Sequence, residues 1–197
     1  MIRIALALGV LLALMLPVGA QTAGTPADHD ALRKLKAETV EAVNARDYAR
    51  AQKILHQPFM ATLVTQDSFD DFEKLKAYFE NLYTRSFLRM KTVRLAADAD
   101  DLSQIYQGTF SVNRGSTTEF YEMADGRTFD MAGRWTSVSI KQDGTWKLLA
   151  VHTGTNFLDN PVLNAIEKSA KWIGLISGVA GLLAGFAAGW FVKRSRT

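Results

Sequence analysis

The chain has 197 residues, no cysteine and a formal net charge of +3. No disulfide can form, and lipidation of an N-terminal cysteine is excluded. Five of the 23 Lys and Arg (Arg3, Lys171, Lys193, Arg194, Arg196) lie in the terminal segments; the other 18 face 20 Asp and Glu, all between Asp28 and Glu167, so the basic balance gives no indication of nucleic-acid binding.

Arg3 precedes an uncharged stretch, residues 4–16, that Pro17 ends and Val18-Gly19-Ala20 follows. A positive start, a short apolar run and small residues form a secretory signal, so residues 1–20 are expected to be removed before Gln21. Residues 21–27 read as a linker, and residues 28–157 as one globular domain.

Leu32, Leu35, Thr39, Ala42 and Val43 recur at helical spacing, predicting an amphipathic helix over 30–45. Asp47 can cap a second helix over 48–56, stopped by Pro58. A first strand is expected at 59–65. Asp70 with Glu73 is a helix-start pair, and Phe72, Leu75, Phe79 and Leu82 give one buried face of a third helix over 71–83. The period then falls to two, with strands at 93–97, 105–113, 117–123, 128–141 and 145–157. They are separated by Arg114-Gly115-Ser116, Asp125-Gly126 and Asp143-Gly144. Helices followed by antiparallel strands predict an α+β domain with helices on one face of a curved sheet.

Asn160-Pro161 reads as a helix cap with proline in the first turn. Residues 158–171 form a helical stalk, and residues 172–192 are uncharged. As a helix this run is about 31 Å long, the thickness of a bilayer core, with Trp172 and Trp190 near its ends. Lys193, Arg194 and Arg196 in the tail, residues 193–197, should keep that end cytoplasmic. The expected location is a bacterial inner membrane, single-pass, with the domain in the periplasm. Gly174, Gly178, Gly181, Gly185 and Gly189 leave one side of this helix bare, a face where a second membrane helix could pack.

Two stretches carry a resemblance. They are Asn44-Ala45-Arg46-Asp47-Tyr48, and the run from Arg134-Trp135 through Asp143-Gly144-Thr145-Trp146 to Ala150-Val151-His152. A strand, an Asp-Gly turn, a Trp two residues later, an aliphatic strand and a His resemble the nuclear-transport-factor-2-like superfamily, SnoaL-like branch. The resemblance covers residues 28–157. It implies a cone: a strongly bent antiparallel sheet with three N-terminal helices on its concave face, often dimeric through the convex face. It implies no single activity, because members include isomerases, dehydratases and binding proteins.

The turn at Asp143-Gly144 sets which side chains face the cone. A two-residue turn places Trp135 opposite His152. A three-residue turn with Gly144 as a left-handed bulge places Arg134 opposite His152 and Trp135 opposite Val151, and is preferred. Phe129, Met131, Trp135, Ser137, Leu149, Val151 and Thr153 then face a pocket. Val138, Ile140, Trp146 and Leu148 share the outer, dimer face, with Arg134, Asp130 and His152 also turned outward. Tyr83 and Tyr106 are candidate hydroxyl donors to the pocket.

No catalytic residue is assigned: these two strands place no carboxylate or His inside the cone, and no Ser-His-Asp signature or phosphate loop is present. His29, His56 and the Asp98, Asp100, Asp101 cluster lack metal-ligand spacing, so neither metal nor cofactor is expected. Asp130 and Arg134, four apart, read as a surface pair. The expected function is a membrane-anchored extracytoplasmic domain, a homodimer, that binds a small apolar ligand or a partner protein. The alternatives are a dehydratase or isomerase acting on a hydrophobic substrate, and a structural part of an envelope assembly.

Overall fold

The computed structural model describes residues 24–195, so the signal segment and its cleavage point lie outside the described residues. Thr25 starts α1 (Pro26–Ala45): its hydroxyl accepts from Asp28 N at 3.2 Å, and the Asp28 carboxylate accepts from Thr25 N at 3.3 Å. This reciprocal cap sits where a linker was expected, because Pro26 is pre-set for a first helical turn. Asp47 caps α2 (Tyr48–Ile54) by accepting from Arg50 N at 2.9 Å. β1 (Leu55–Thr62) follows at once and contains Pro58, where its register shifts. After β2 (Ser68–Phe69), Asp71 rather than Asp70 caps α3 (Phe72–Thr84), accepting from Lys74 N at 2.9 Å.

The strands β3 (Met90–Ala99), β4 (Gln104–Tyr106), β5 (Phe110–Met123), β6 (Thr128–Gln142) and β7 (Thr145–Thr155) complete a curved sheet in the order β2-β1-β7-β6-β5-β3, with β4 on β5. One pair departs from the expected antiparallel arrangement: β1 runs parallel to β7. α1 and α2 precede β1 in the chain and carry it to the far side of the last strand. Arg114-Gly115-Ser116 does not turn the chain either. β5 runs straight through it, paired with both β3 and β6. A Cβ on Gly115 would lie 1.9 Å from Asp98 O and 2.7 Å from the Trp135 ring. The glycine therefore marks a close approach within a strand, not a turn. The real turn is at Gln107-Gly108, both at positive φ.

At the β6–β7 hairpin Gln142 pairs with Thr145, and Asp143 and Gly144 have φ of 50° and 77°. This is a two-residue type I′ turn. A bulge between Val138 and Ser139, opposite Leu149, then shifts the register, so Trp135 faces Thr153 and Thr136 faces His152. Neither register expected from sequence allowed for that bulge. Because one extra residue reverses the parity of a strand, Trp146 and Leu148 point inward before it, and Val151 and Thr153 point inward after it. Trp146 and Leu148 were expected on the outer face. Instead, Trp146 (5% exposed) packs with Leu32, Leu35, Ile54 and Ile105, and Leu148 packs with Leu55, Phe59, Ala61 and Phe72.

The two clusters join helices to sheet, and polar contacts fix how they meet. Lys141 Nζ (2.7 Å) and Trp146 Nε1 (3.0 Å) both donate to Asp28 Oδ1. Lys141, then Thr25, then Trp146 hold the Asp28 carboxyl far below the ordinary carboxylate range. On β3, an edge strand, the Asn44 amide spans one rung: Nδ2 donates to Leu95 O (2.9 Å), and Leu95 N donates to Oδ1 (2.7 Å). The edge thus gains partners no neighbouring strand supplies.

Asn160 caps α4 (Pro161–Arg194) by accepting from Leu163 N at 3.0 Å. Residues Pro161–Phe191 form one helix long and apolar enough to cross a membrane among the described residues; its apolar stretch is unburied, while Pro161, Val162 and Ala165 in its first turns are half-buried. Arg194 stacks over Trp190, 5.4 Å from its ring centre. Nothing lies within 4 Å of a Cβ built on Gly174, Gly178, Gly181, Gly185 or Gly189.

Candidate functional site

Between the concave sheet face, α1, α3 and the first turns of α4 lies a cavity of about 1230 Å³. That exceeds the roughly 300–1,000 Å³ usual for a small-molecule site. Leu82, Val93, Leu95, Phe129 and Met131 make much of the wall apolar. Trp135, Ser137, Val151, Thr153 and Tyr83, the pocket residues named from sequence, all line it. Tyr106 does not. It sits exposed on the short β4, its hydroxyl donating to Gln104 Oε1 at 3.0 Å. Leu149, the extra residue of the bulge, is also absent from the wall. Trp135 is positioned by its indole N–H, which donates to Asp98 O (3.2 Å) and Ser116 O (3.1 Å). Tyr83 is half-buried under the Arg46 guanidinium, 3.9 Å from its ring centre.

The polar centre of the cavity comes from β5. Thr117, Glu119 and Tyr121 alternate on the concave face, and Glu119 is only 8% exposed. Thr117 Oγ1 donates to Glu119 Oε1 at 3.1 Å, and the Tyr121 hydroxyl donates to Glu119 Oε2 through a short hydrogen bond. Burial first, then the Glu119 carboxylate beside it, pushes the Tyr121 phenol far above its usual range, so it remains a donor. Glu119 makes no ion pair among the described residues. A carboxylate has about four lone-pair sites, and two are taken. The others can accept hydrogen bonds from a ligand or receive a proton.

This trio was missed because β5 was divided at Gly115 and because Phe120 is the apolar residue of the stretch. The usable signal was the hairpin at Asp125-Gly126. Met123 and Phe129 are buried on either side of it, and counting back by two from Met123 reaches Tyr121, Glu119 and Thr117.

The outward set behaves differently. Val138 is half-buried on the convex face beside Val112 and Ala150. His152 is exposed there, opposite Thr136. Arg134 pairs with Asp100, not Asp130: its Nη1 donates to Asp100 Oδ1 at 3.0 Å, because the β3–β4 turn folds over β5 to reach it. Asp101 takes Arg114 at 2.9 Å. Asp100 and Asp101 are thus held by arginines, and no group of metal-binding side chains occurs among the described residues.

The same architecture appears in solved structures. Hexachlorocyclohexane dehydrochlorinase LinA-type3 from Novosphingobium barchaimii LL02 aligns with a TM-score of 0.55 at 15% identity, over 66% of this chain and 88% of that one. A protein named as a candidate scytalone dehydratase from Novosphingobium aromaticivorans DSM 12444 gives 0.57 at 11%, over 66% and 85%. A nuclear transport factor 2-like superfamily protein from Salmonella enterica serovar Typhimurium LT2 gives 0.54 at 15%, over 64% and 89%. At such identities the likeness establishes the fold and nothing of the chemistry. No curated protein matches the sequence. The model of the calcium/calmodulin-dependent protein kinase II association domain matches residues 29–156, the whole cone, and the chain therefore belongs to that family within the nuclear-transport-factor-2-like fold.

Proposed function

We propose that this chain is a membrane-anchored, extracytoplasmic domain that binds a small, largely apolar ligand in the cone, with Glu119 and Tyr121 as its polar contact. The observation that carries this reading is the cavity of about 1230 Å³ with a buried, ion-pair-free carboxylate on an apolar wall. A purely structural part needs no such space, and a solid core would stabilise it better. The apolar helix α4 supports the tether, and the cationic tail supports a cytoplasmic C-terminus with the cone across the bilayer.

Native mass spectrometry of the full chain in mild detergent tests the binding. The wild type should carry an added small mass that Val151→Trp, which fills the wall, removes. A wild type with no added mass, in detergent and in lipid nanodiscs alike, contradicts it.

A second reading, proton transfer on a hydrophobic substrate, is favoured by Glu119 itself. A carboxylate aimed into an apolar cavity is the group an isomerase or dehydratase requires. Ligand turnover that disappears in Glu119→Gln would establish it. Self-association is supported by the family's description as an association domain, and by Phe110 and Val112, exposed beside Val138 and Ile140 on the convex face.

A further inference from the structure

The cone does not line its cavity alone: α4 runs along one side of it while staying largely exposed. Val162, Ala165, Ile166, Ser169, Ala170 and Ile173 of α4 all line it. Their spacing of three and four residues is one helix face, so about three turns of α4 lie along the opening. The bilayer-length segment starts at the end of that same face: Trp172, an interface-preferring side chain, immediately precedes Ile173. Other apolar side chains at the cavity or beside the start of α4 are exposed. Phe87 (76% exposed) and Leu102 (64%) line the cavity, and Phe157 and Leu158 are exposed in the segment leading into α4. A route from the bilayer-length segment along the α4 face therefore opens onto a mostly apolar cavity wall that holds a buried acceptor, Glu119.

Resting on the ligand-binding reading above, we infer that the ligand is a single-chain membrane amphiphile, drawn from the bilayer along α4. Its head group donates hydrogen bonds, as an ammonium or hydroxyl, to Glu119. The chemistry at Glu119 selects the head. Both carboxylate oxygens already accept a hydroxyl, from Thr117 and Tyr121, and the lone pairs left over can only accept again. An ionised carboxylate head carries no hydrogen-bond donor and leaves those lone pairs unmatched.

Photo-crosslinking tests this on the full-length protein in phosphatidylcholine vesicles, with a twelve-carbon diazirine amine, the alcohol and the fatty acid of equal length as probes. The amine and alcohol should label residues of the cavity wall such as Met131, Val151 and Ile166, and the fatty acid should not. Glu119→Gln should cut amine labelling of the wall about tenfold. Ala170→Trp, which blocks the α4 face, should cut it as far, and Ala170→Ser should leave it intact. Labelling confined to residues 174–191, or unchanged in both Glu119→Gln and Ala170→Trp, overturns the inference. A short, water-soluble diazirine amine applied to the detergent-purified chain separates the two readings. If it alone labels the wall, cavity binding stands and the membrane route falls; if no probe labels the wall, both fall.

Discussion

Asp28 shows how one side chain can hold a helix to a sheet. It closes the cap of α1 and accepts from Lys141 and Trp146 near the β6–β7 turn. Removing the carboxylate strips the buried Trp146 N–H of its partner, so Asp28→Ala should cost about 2 kcal/mol in thermal or urea unfolding of the domain. The pH dependence has a definite sign. A carboxyl whose folded pKa is depressed contributes its full stability above its unfolded pKa, near 3.9, and loses it as pH falls towards the lower folded value. Wild type should therefore lose stability below about pH 4 more steeply than Asp28→Asn. Parallel curves for the two would show that the contact carries no linkage. Among the pocket residues, Trp135, Ser137, Val151 and Thr153 line the cavity because the bulge at Leu149 has the same parity as the three-residue turn expected at Asp143-Gly144, although that turn and its register did not hold. Glu119 was not legible in the sequence. A charged residue inside a cone contradicts the polar-outward pattern used to find strands, and only its hydroxyl neighbours on the same face make it tolerable there.

At the scale of elements, the three helices and the strand-rich half were readable from period and caps. Strand partners were less so. The parallel β1–β7 pair depends on where α1 and α2 deliver β1, a tertiary outcome that no local pattern records. The bulge opposite Leu149 has no glycine to announce it, yet it decides the inward face of half of β7. α4 is simpler, because its length and its uncharged run, residues 172–192, directly make it long and apolar enough to cross a membrane. Its glycines, all with open space beside them, form part of the proposal that α4 packs against another membrane helix. Gly181→Leu combined with Gly185→Leu should reduce self-association in a membrane two-hybrid assay several-fold. An unchanged signal leaves the glycines without that role.

For the molecule as a whole, the convex sheet and the anchor together favour a paired assembly, with two cones above two helices. Val112→Asp with Val138→Asp places like charges at the centre of the exposed apolar strip. In multi-angle light scattering of the detergent-solubilised chain, this variant should run at half the wild-type protein mass with its thermal unfolding little changed; equal masses contradict the pairing. Everything proposed for the cavity presumes an exported cone held to a bilayer by α4. The absence of native cysteine makes this directly measurable by single-cysteine labelling in intact cells with a membrane-impermeant maleimide. A cysteine replacing the exposed Ala77 on α3 should label at once, and one replacing Thr197 only after the inner membrane is permeabilised. The reverse pattern, or equal labelling of both in protein that carbonate washing strips from membranes, would contradict the account.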